Sequence, residues 1–358
     1  MATEARAAPA LLRRRYVPGV LPVIGSLLVA ALLLWLGVNL VKTPSLFFNN
    51  FLIGLTNGAI YGLVALGYSL VYGILELINF AHGDVFMLGG VLTVTLAGHW
   101  VLGLTDNKTG WYVLPVVLLL LVAAMGFCGL LNVCVELIAY RRLRGAPRLA
   151  PLITAIGMSF ILQNVGLIWT TKLVGTPIPV SPPNILPHGT IFTVGSATYT
   201  WDKLIILLIT SPVLVLLIWL VQGTRQGKAM RATAQDMDAA AMMGINVNRT
   251  ISFTFLIAGG LAGAAGVMFA LYTTNVKFDT GFRLGLFAFT AAVLGGIGNL
   301  PGAVLGGIVI GLVEAFNNGL NWHAPGGDWT SSIIFAILIL ILVFRPEGLL
   351  GERTPEGG

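Results

Sequence analysis

Three stretches carry polar or small residues in patterns that chemistry could use. The first, E76-L-I-N-F-A-H-G-D84, sets Asn79, His82 and Asp84 among apolar residues with no basic residue nearby. Two readings stand open. These side chains could cap two helix ends, the Asp84 carboxylate favouring the positive N-terminus of the next helix. Alternatively, the segment is partly buried in protein and borders a pathway. The second stretch is R225-Q-G-K-A-M-R-A-T-A-Q-D-M-D-A-A-A-M-M-G-I-N-V-N-R249. Good helix formers run from Lys228 to Met243, with Asp236 and Asp238 among them and Gly244 as a C-terminal stop. One short helix there, parallel to the membrane, would present Ala239, Ala240, Met242 and Met243 to lipid or to a partner's cleft, since soft methionines suit docking. The third stretch is G295-G-I-G-N-L-P-G302. Gly295, Gly296, Gly298 and Pro301 interrupt any helix, so the apolar tract around them divides into two half-helices, either re-entrant or both crossing. Broken helices at membrane depth are tolerated where they are buried or line a cavity, and in transporters they often mark the substrate site. The same tract offers small-xxx-small packing faces at Gly298, Gly302 and Gly306, or at Gly307 and Gly311. Gly259, Gly260, Gly263 and Gly266 read more simply as packing residues.

Catalytic patterns are missing from the sequence. There is no G-x-x-x-x-G-K-[ST] loop, no H-E-x-x-H and no G-x-S-x-G. The histidines His82, His99, His188 and His323 are scattered, so no zinc site is expected. Glu76, Asp84, Glu136 and Glu314 each read as lying at the end of an apolar tract, which leaves no ladder of embedded acids for proton coupling. No cofactor, no metal and no catalysis by the chain itself are expected. Cys128 and Cys134 are six residues apart on one apolar tract and face different directions, so they read as buried small apolar residues, not as a disulfide or metal pair.

The elements that position these groups are legible from composition. Soluble domains carry about 25% charged residues; this chain carries 9%, with 56% hydrophobic residues and a mean hydropathy of +0.90. Charge-free tracts run through 16–41, 45–75, 85–105, 109–135, 149–171, 204–224, 250–276, 284–313 and 329–344. A helix needs about 20 apolar residues to cross a hydrocarbon core of ~30 Å. Continuous apolar runs, lacking dyad alternation, predict helices and not a barrel. Arg13–Arg15 followed by apolar Leu21–Leu36 resembles a signal peptide, but the run is long and no cleavage site follows, so it reads as an uncleaved first span.

Basic residues then set the orientation. The N-terminus, 140–148, 223–249 and the C-terminus fall in the cytoplasm, and the proline-containing loop 172–203 outside; 14 of the 20 Lys and Arg lie inside. The net charge of +6 is thus a positive-inside bias and not a nucleic-acid signal. An even number of crossings is needed at 284–313 to return the tail F-R-P-E-G-L-L-G-E-R to the cytoplasm. No repeat of 20–50 residues is visible. The expected fold is an all-α polytopic bundle of eight to ten spans with a broken or re-entrant Gly-rich segment.

With these residues in view, the chain resembles the permeases of branched-chain amino-acid ABC importers, and specifically the Liv-H-like permease. The marks are G54-L-T-N-G-A-I-Y-G-L-V-A-L-G-Y-S-L-V-Y-G-I-L-E-L-I-N-F-A-H-G-D84, T154-A-I-G-M-S-F-I-L-Q-N164, R231-A-T-A-Q-D-M-D-A-A-A-M-M-G-I-N246, F289-T-A-A-V-L-G-G-I-G-N-L-P-G-A-V-L-G-G307 and R345-P-E-G-L-L-G351. The resemblance implies a transmembrane domain over 46–351, preceded by an extra first span within 1–45 and followed by a short tail, 352–358. It turns the inner loop into a coupling helix: Asp238-Ala239-Ala240-Ala241-Met242-Met243-Gly244 matches E-A-A-x-x-x-G with Asp for Glu, although the usual later I-x-L-P is missing. Asp236, Asp238, Ala239, Ala240, Met243 and Gly244 would then meet an ATPase. The implied partners are two ATP-binding subunits, a second homologous permease, a periplasmic substrate-binding protein and membrane lipid. Asn79, His82, Asp84, Gly295, Gly296, Gly298 and Pro301 become candidates for the translocation path, in the inner membrane of a bacterium. Urea or short amides are alternative substrates, and an ATP-independent channel or secondary transporter is the alternative mechanism.

Overall fold

The computed structural model describes residues 20–98, 113–174, 180–194, 197–273 and 275–351, apart from 145, 148 and 188, together with 102 and 104. Arg13–Arg15, His99, His188 and the tail 352–358 lie outside the described residues. Among the described residues twelve α-helices follow in order: α1 (Val20–Lys42), α2 (Pro44–Leu75), α3 (His82–Ala97), α4 (Val113–Val135), α5 (Leu149–Trp169), α6 (Trp201–Gly223), α7 (Arg225–Gln235), α8 (Met237–Met242), α9 (Val247–Thr273), α10 (Thr280–Gly295), α11 (Leu300–Gly319) and α12 (Thr330–Phe344). A small antiparallel hairpin, β1 (Thr190–Val194) and β2 (Ala197–Thr200), decorates the loop before α6.

Seven segments, α2, α4, α5, α6, α9, α11 and α12 with their short extensions, are long and apolar enough to cross a membrane. The Val29–Lys42 part of α1, α3 and α10 are apolar but shorter; sixteen residues of α10 rise only about 24 Å. The protein is a multi-pass helical membrane protein. Burial sorts the helices into layers. The most apolar windows of α2 and α9 are each 83% buried inside the chain, against 11% for α12 and 22% for α5. The outer helices turn Leu34, Val122, Ile153 and Val215 outward.

Glycines explain which helices meet. Lipid tails are as apolar as leucine, so helices associate through close van der Waals contact and small residues. On α2, a Cβ at Gly54 would stand 2.8 Å from Leu312 Cα, one at Gly58 2.6 Å from Ile308 Cα, and one at Gly62 3.7 Å from Val304 Cα. The falling register makes α2 and α11 antiparallel. Gly307 and Gly311 face α2, whereas Gly302 and Gly306 face Gly295 and Ala291 of α10. Both small-residue faces of the broken tract are therefore used, one on each neighbour, except that Gly298 meets nothing within 4 Å and belongs to the turn. Likewise Gly259 and Gly263 of α9 abut Cys128 and Ala124 of α4, and Gly266 abuts Phe86 and Gly90 of α3.

The first helix is fastened at its far end. Trp35 Nε1 donates to Trp322 O (3.0 Å), and Lys42 Nζ stands 4.5 Å from the centre of the Trp322 ring. Of the two cysteines, Cys128 is buried, with its thiol directed at Val85 O (3.3 Å), but Cys134 is exposed among outward-facing residues of α4. The expectation that both are buried fails for Cys134 because a six-residue step turns it about 120° around the helix from Cys128.

Candidate functional site

The 76–84 segment is a buried crossing point. α2 ends with Glu76 in the left-handed region (φ 52°), its N–H donating to Tyr72 O (2.8 Å). α3 begins without a side-chain cap hydrogen bond, but Asp84 lies in its first turn, where a carboxylate suits the positive helix end as expected. Asn79 and Asp84 also reach other helices. Tyr140 Oη donates to Asn79 Oδ1 (3.0 Å), Asn79 Nδ2 to Asn132 Oδ1 (3.4 Å), and Asn132 Nδ2 to Phe255 O (2.7 Å). Asp84 accepts the Ser159 hydroxyl of α5, and Gln163 donates to Ser159 Oγ (3.2 Å). The His82 ring fills the space that Gly67 leaves on α2 and meets Tyr68 edge-on, 4.8 Å between centroids. Gly83 lets α3 cross α10 closely; a Cβ there would lie 2.8 Å from Gly285 Cα. Burying an unmatched polar group is costly, and Asn79 and one Asp84 oxygen find side-chain partners across helices, whereas Asp84 Oδ1 and both His82 ring nitrogens are buried without one. The cavity beside Asn79, about 10 Å³ with Tyr68, Tyr72 and Phe289, has room for about one water.

The inner loop forms two helices, not the single one expected. Asp236 adopts an extended backbone (φ −157°, ψ 113°) that ends α7, and its carboxylate accepts from the N–H groups of Asp238 and Ala239, both at 2.9 Å, to start α8. Thr224 caps α7 in the same manner, accepting from Gly227 N at 3.1 Å. Gly244 (φ 84°) closes α8, as its position suggested, and Ile245 N returns to Ala240 O (3.0 Å). The side chains divide: Ala240 is buried, while Met242 and Met243 are 82% and 84% exposed. α7 packs against the ends of α2, α6 and α9 and leaves the tip of α8 standing free.

At the start of α9 lies a buried charge cluster. Glu136, fully buried, meets Arg141 (Nε–Oε1 3.3 Å) and Arg144, and accepts the Ser252 hydroxyl at 2.8 Å. Arg144 also donates to Asn248 Oδ1 (2.6 Å). The cluster ties the end of α4 to the first turns of α9.

The break at 295–301 is a turn between antiparallel helices. Gly296 (φ 103°) and Gly298 (φ 90°) take conformations that cost an L-residue about 1–2 kcal/mol. Asn299 caps α11 by accepting from Gly302 N (2.9 Å), and Pro301 occupies the first turn, where a missing N–H costs nothing. The R-P-E-G-L-L-G tail folds back beneath: Leu349 N donates to Leu294 O (2.8 Å), Leu350 N to Gly295 O (3.0 Å) and Asn299 Nδ2 to Leu350 O (2.7 Å). The carbonyls orphaned at the end of α10 are thereby satisfied. Gly298 and Pro301 line a cavity of about 560 Å³ together with Ser69, Gly73 and Arg231.

A second cavity, of about 400 Å³, lies at the opposite end of α2 and α11. Its polar centre is Glu314, which accepts from Asn57 Nδ2 (3.1 Å) and Tyr61 Oη (2.6 Å). Read from sequence as a tract-end acid, Glu314 instead sits well inside α11, after fourteen of its twenty residues. An ionisable residue at such a position is a functional-site signal; Asn57 and Tyr61, four apart in an apolar tract, are the matching one.

The comparisons agree with this architecture. The family model described as branched-chain amino acid transport system / permease component matches residues 50–343. The chain is 37% identical over 311 residues to the high-affinity branched-chain amino acid transport system permease protein LivH of Escherichia coli (strain K12), covering 85% of this chain and 95% of that one. The corresponding permease protein BraD of Pseudomonas aeruginosa is 36% identical over 309 residues, with the same coverage. The galactose/methyl galactoside import permease protein MglC of Haemophilus influenzae is 27% identical over 322 residues, covering 86% and 90%. With its glycine-packed helices, the break between its tenth and eleventh helices and these matches over most of its length, the chain belongs to the family of branched-chain amino acid transport system permease components.

Proposed function

We propose that this chain is the membrane-spanning permease subunit of an ATP-driven importer of branched-chain amino acids, forming the translocation route with a second homologous permease. The observation that carries the reading is α8, a capped helix that turns Met242 and Met243 outward at 82% and 84% exposure. Two separate ATP-binding subunits grip this tip from the cytoplasm and supply the hydrolysis, so the permease itself performs no catalysis. A periplasmic binding protein delivers substrate to the opposite face. Met243, Gly244, Asp236 and Asp238 form or shape the contact; Ala239 and Ala240 support it, Ala240 from its buried position. Motion of α8 passes to α9 through Ile245 and the Glu136 cluster, and to α2 through α7. Gly298 and Pro301 line the inner vestibule, with Gly295 and Gly296 shaping its turn. Asn79, His82 and Asp84 hold together the helices bordering the route. Both termini face the cytoplasm across the bacterial inner membrane, on the side that holds most of the basic residues.

The test is reconstitution of all subunits in proteoliposomes. Labelled leucine uptake should require ATP, and a Met242→Glu/Met243→Glu double variant should cut it at least about tenfold, the loss of a central interface contact, while the permease stays folded by circular dichroism. Uptake that needs no ATPase subunit, or that survives the double substitution, overturns the reading.

A further inference from the structure

The geometry points to the Glu314 cavity as the place where this subunit receives the substrate itself: Glu314 takes the α-ammonium of a zwitterionic amino acid, and Arg283 takes its α-carboxylate. The inference rests on the importer reading and adds the residues that hold the cargo.

The cavity is bounded by α2, α9, α10 and α11 at the end of the bundle away from α8. Its volume, about 400 Å³, is within the ~300–1,000 Å³ usual for small-molecule sites. Its lining has three kinds of surface. Glu314 is the anion, anchored by Asn57 and Tyr61; both bonds fall on Oε2, so Oε1 keeps its lone pairs for a donor in the cavity. Arg283, exposed on the first turn of α10, is the cation whose field reaches Glu314; Lys277 and Asp279, on the loop before α10, add one charge of each sign to the lining. Ile60, Phe269 and Leu284 are the apolar walls.

Among the described residues neither Glu314 nor Arg283 is in an ion pair, although they share one cavity. An anion and a cation that share a cavity with apolar walls, without pairing to each other, complement an aliphatic zwitterion. An ammonium offers three donors to a carboxylate, a guanidinium forks onto a carboxylate in bidentate fashion, and a branched side chain gains by leaving water. A neutral sugar would leave both charges unmatched, and a simple cation would leave Arg283 opposed. Tyr61 and Asn57 act as positioning residues, fixing the carboxylate before substrate arrives.

The complete importer in proteoliposomes provides the test, with two readouts taken together: labelled leucine uptake, and ATP hydrolysis stimulated by the loaded binding protein. Glu314→Gln and Arg283→Gln should each lower uptake at least about tenfold, the loss of one charged hydrogen-bonded contact, while stimulated hydrolysis stays near that of the parent. Glu314→Asp, which keeps the charge, should recover part of the uptake. Unchanged uptake in both variants overturns the assignment and leaves the permease reading intact. Loss of hydrolysis together with uptake overturns it too, by assigning the cluster to holding helices. Should Glu314→Gln not assemble, Arg283→Gln, at an exposed position, decides alone. Failure of the unmodified importer to take up leucine with ATP counts against the importer reading, and is thereby distinguished from failure of the site.

Discussion

Asp84, Glu136 and Glu314 are three acids in one apolar molecule, and their surroundings give them three different jobs. Asp84 is sealed against Ser159 and joins α3 to α5. Glu136 is sealed too, but with two arginines and Ser252 around it. Glu314 faces a cavity. Removing Glu136 leaves Arg144 and Ser252 without their shared acceptor. We expect Glu136→Ala to lower stability by about 2 kcal/mol, less than a fully buried pair would cost because Arg141 is partly exposed. The measurement is the thermal midpoint of the purified permease in detergent, and no change would show the cluster to be dispensable. The odd polarity of Asn79, His82 and Asp84 is legible in sequence; their purpose is not. Asn132 and Ser159 lie 53 and 75 residues away from the groups they bond, and Glu314 lies more than 250 residues from Asn57 and Tyr61. No local pattern encodes such pairings.

At the scale of elements, glycine spacing carries the information that hydropathy lacks. The small-residue faces of α9 and α11 are readable before any coordinates, because lipid offers helices little reason to meet except close contact. What sequence leaves open is the partner, since either face of α11 could have met either neighbour. A side chain at Gly58 would strike the α11 backbone at Ile308 Cα, which cannot swing aside. Gly58→Leu should therefore cost more than the 1–3 kcal/mol usual for overpacking and abolish the monodisperse peak in gel filtration. Gly126, with nothing within 4 Å of its would-be Cβ, is the control: Gly126→Ala should elute like the parent. The inner loop teaches the converse. Its helix formers and the Gly244 stop are legible, yet the break at Asp236 is not, because the same residue suits a helix interior loosely and a cap well.

For the whole molecule, composition identifies a membrane bundle at once, whereas the order of its layers emerges only from packing. α2 and α12 read alike as apolar tracts, but one is almost wholly enclosed and the other almost bare. The bare faces are available to lipid and to the second permease proposed above, and the two cysteines happen to sort along the same divide. Cys128 is shut between α3 and α4, and Cys134 looks out beside Leu130, Leu137 and Ile138. With two cysteines in the whole sequence, the native protein carries a built-in labelling handle that needs no engineering. A membrane-permeant maleimide should attach once per chain in detergent and twice after denaturation, as counted by intact mass. Attachment at Cys134 that slows when the proposed second permease is added would report, from a single intrinsic thiol, which side of the bundle such a partner covers.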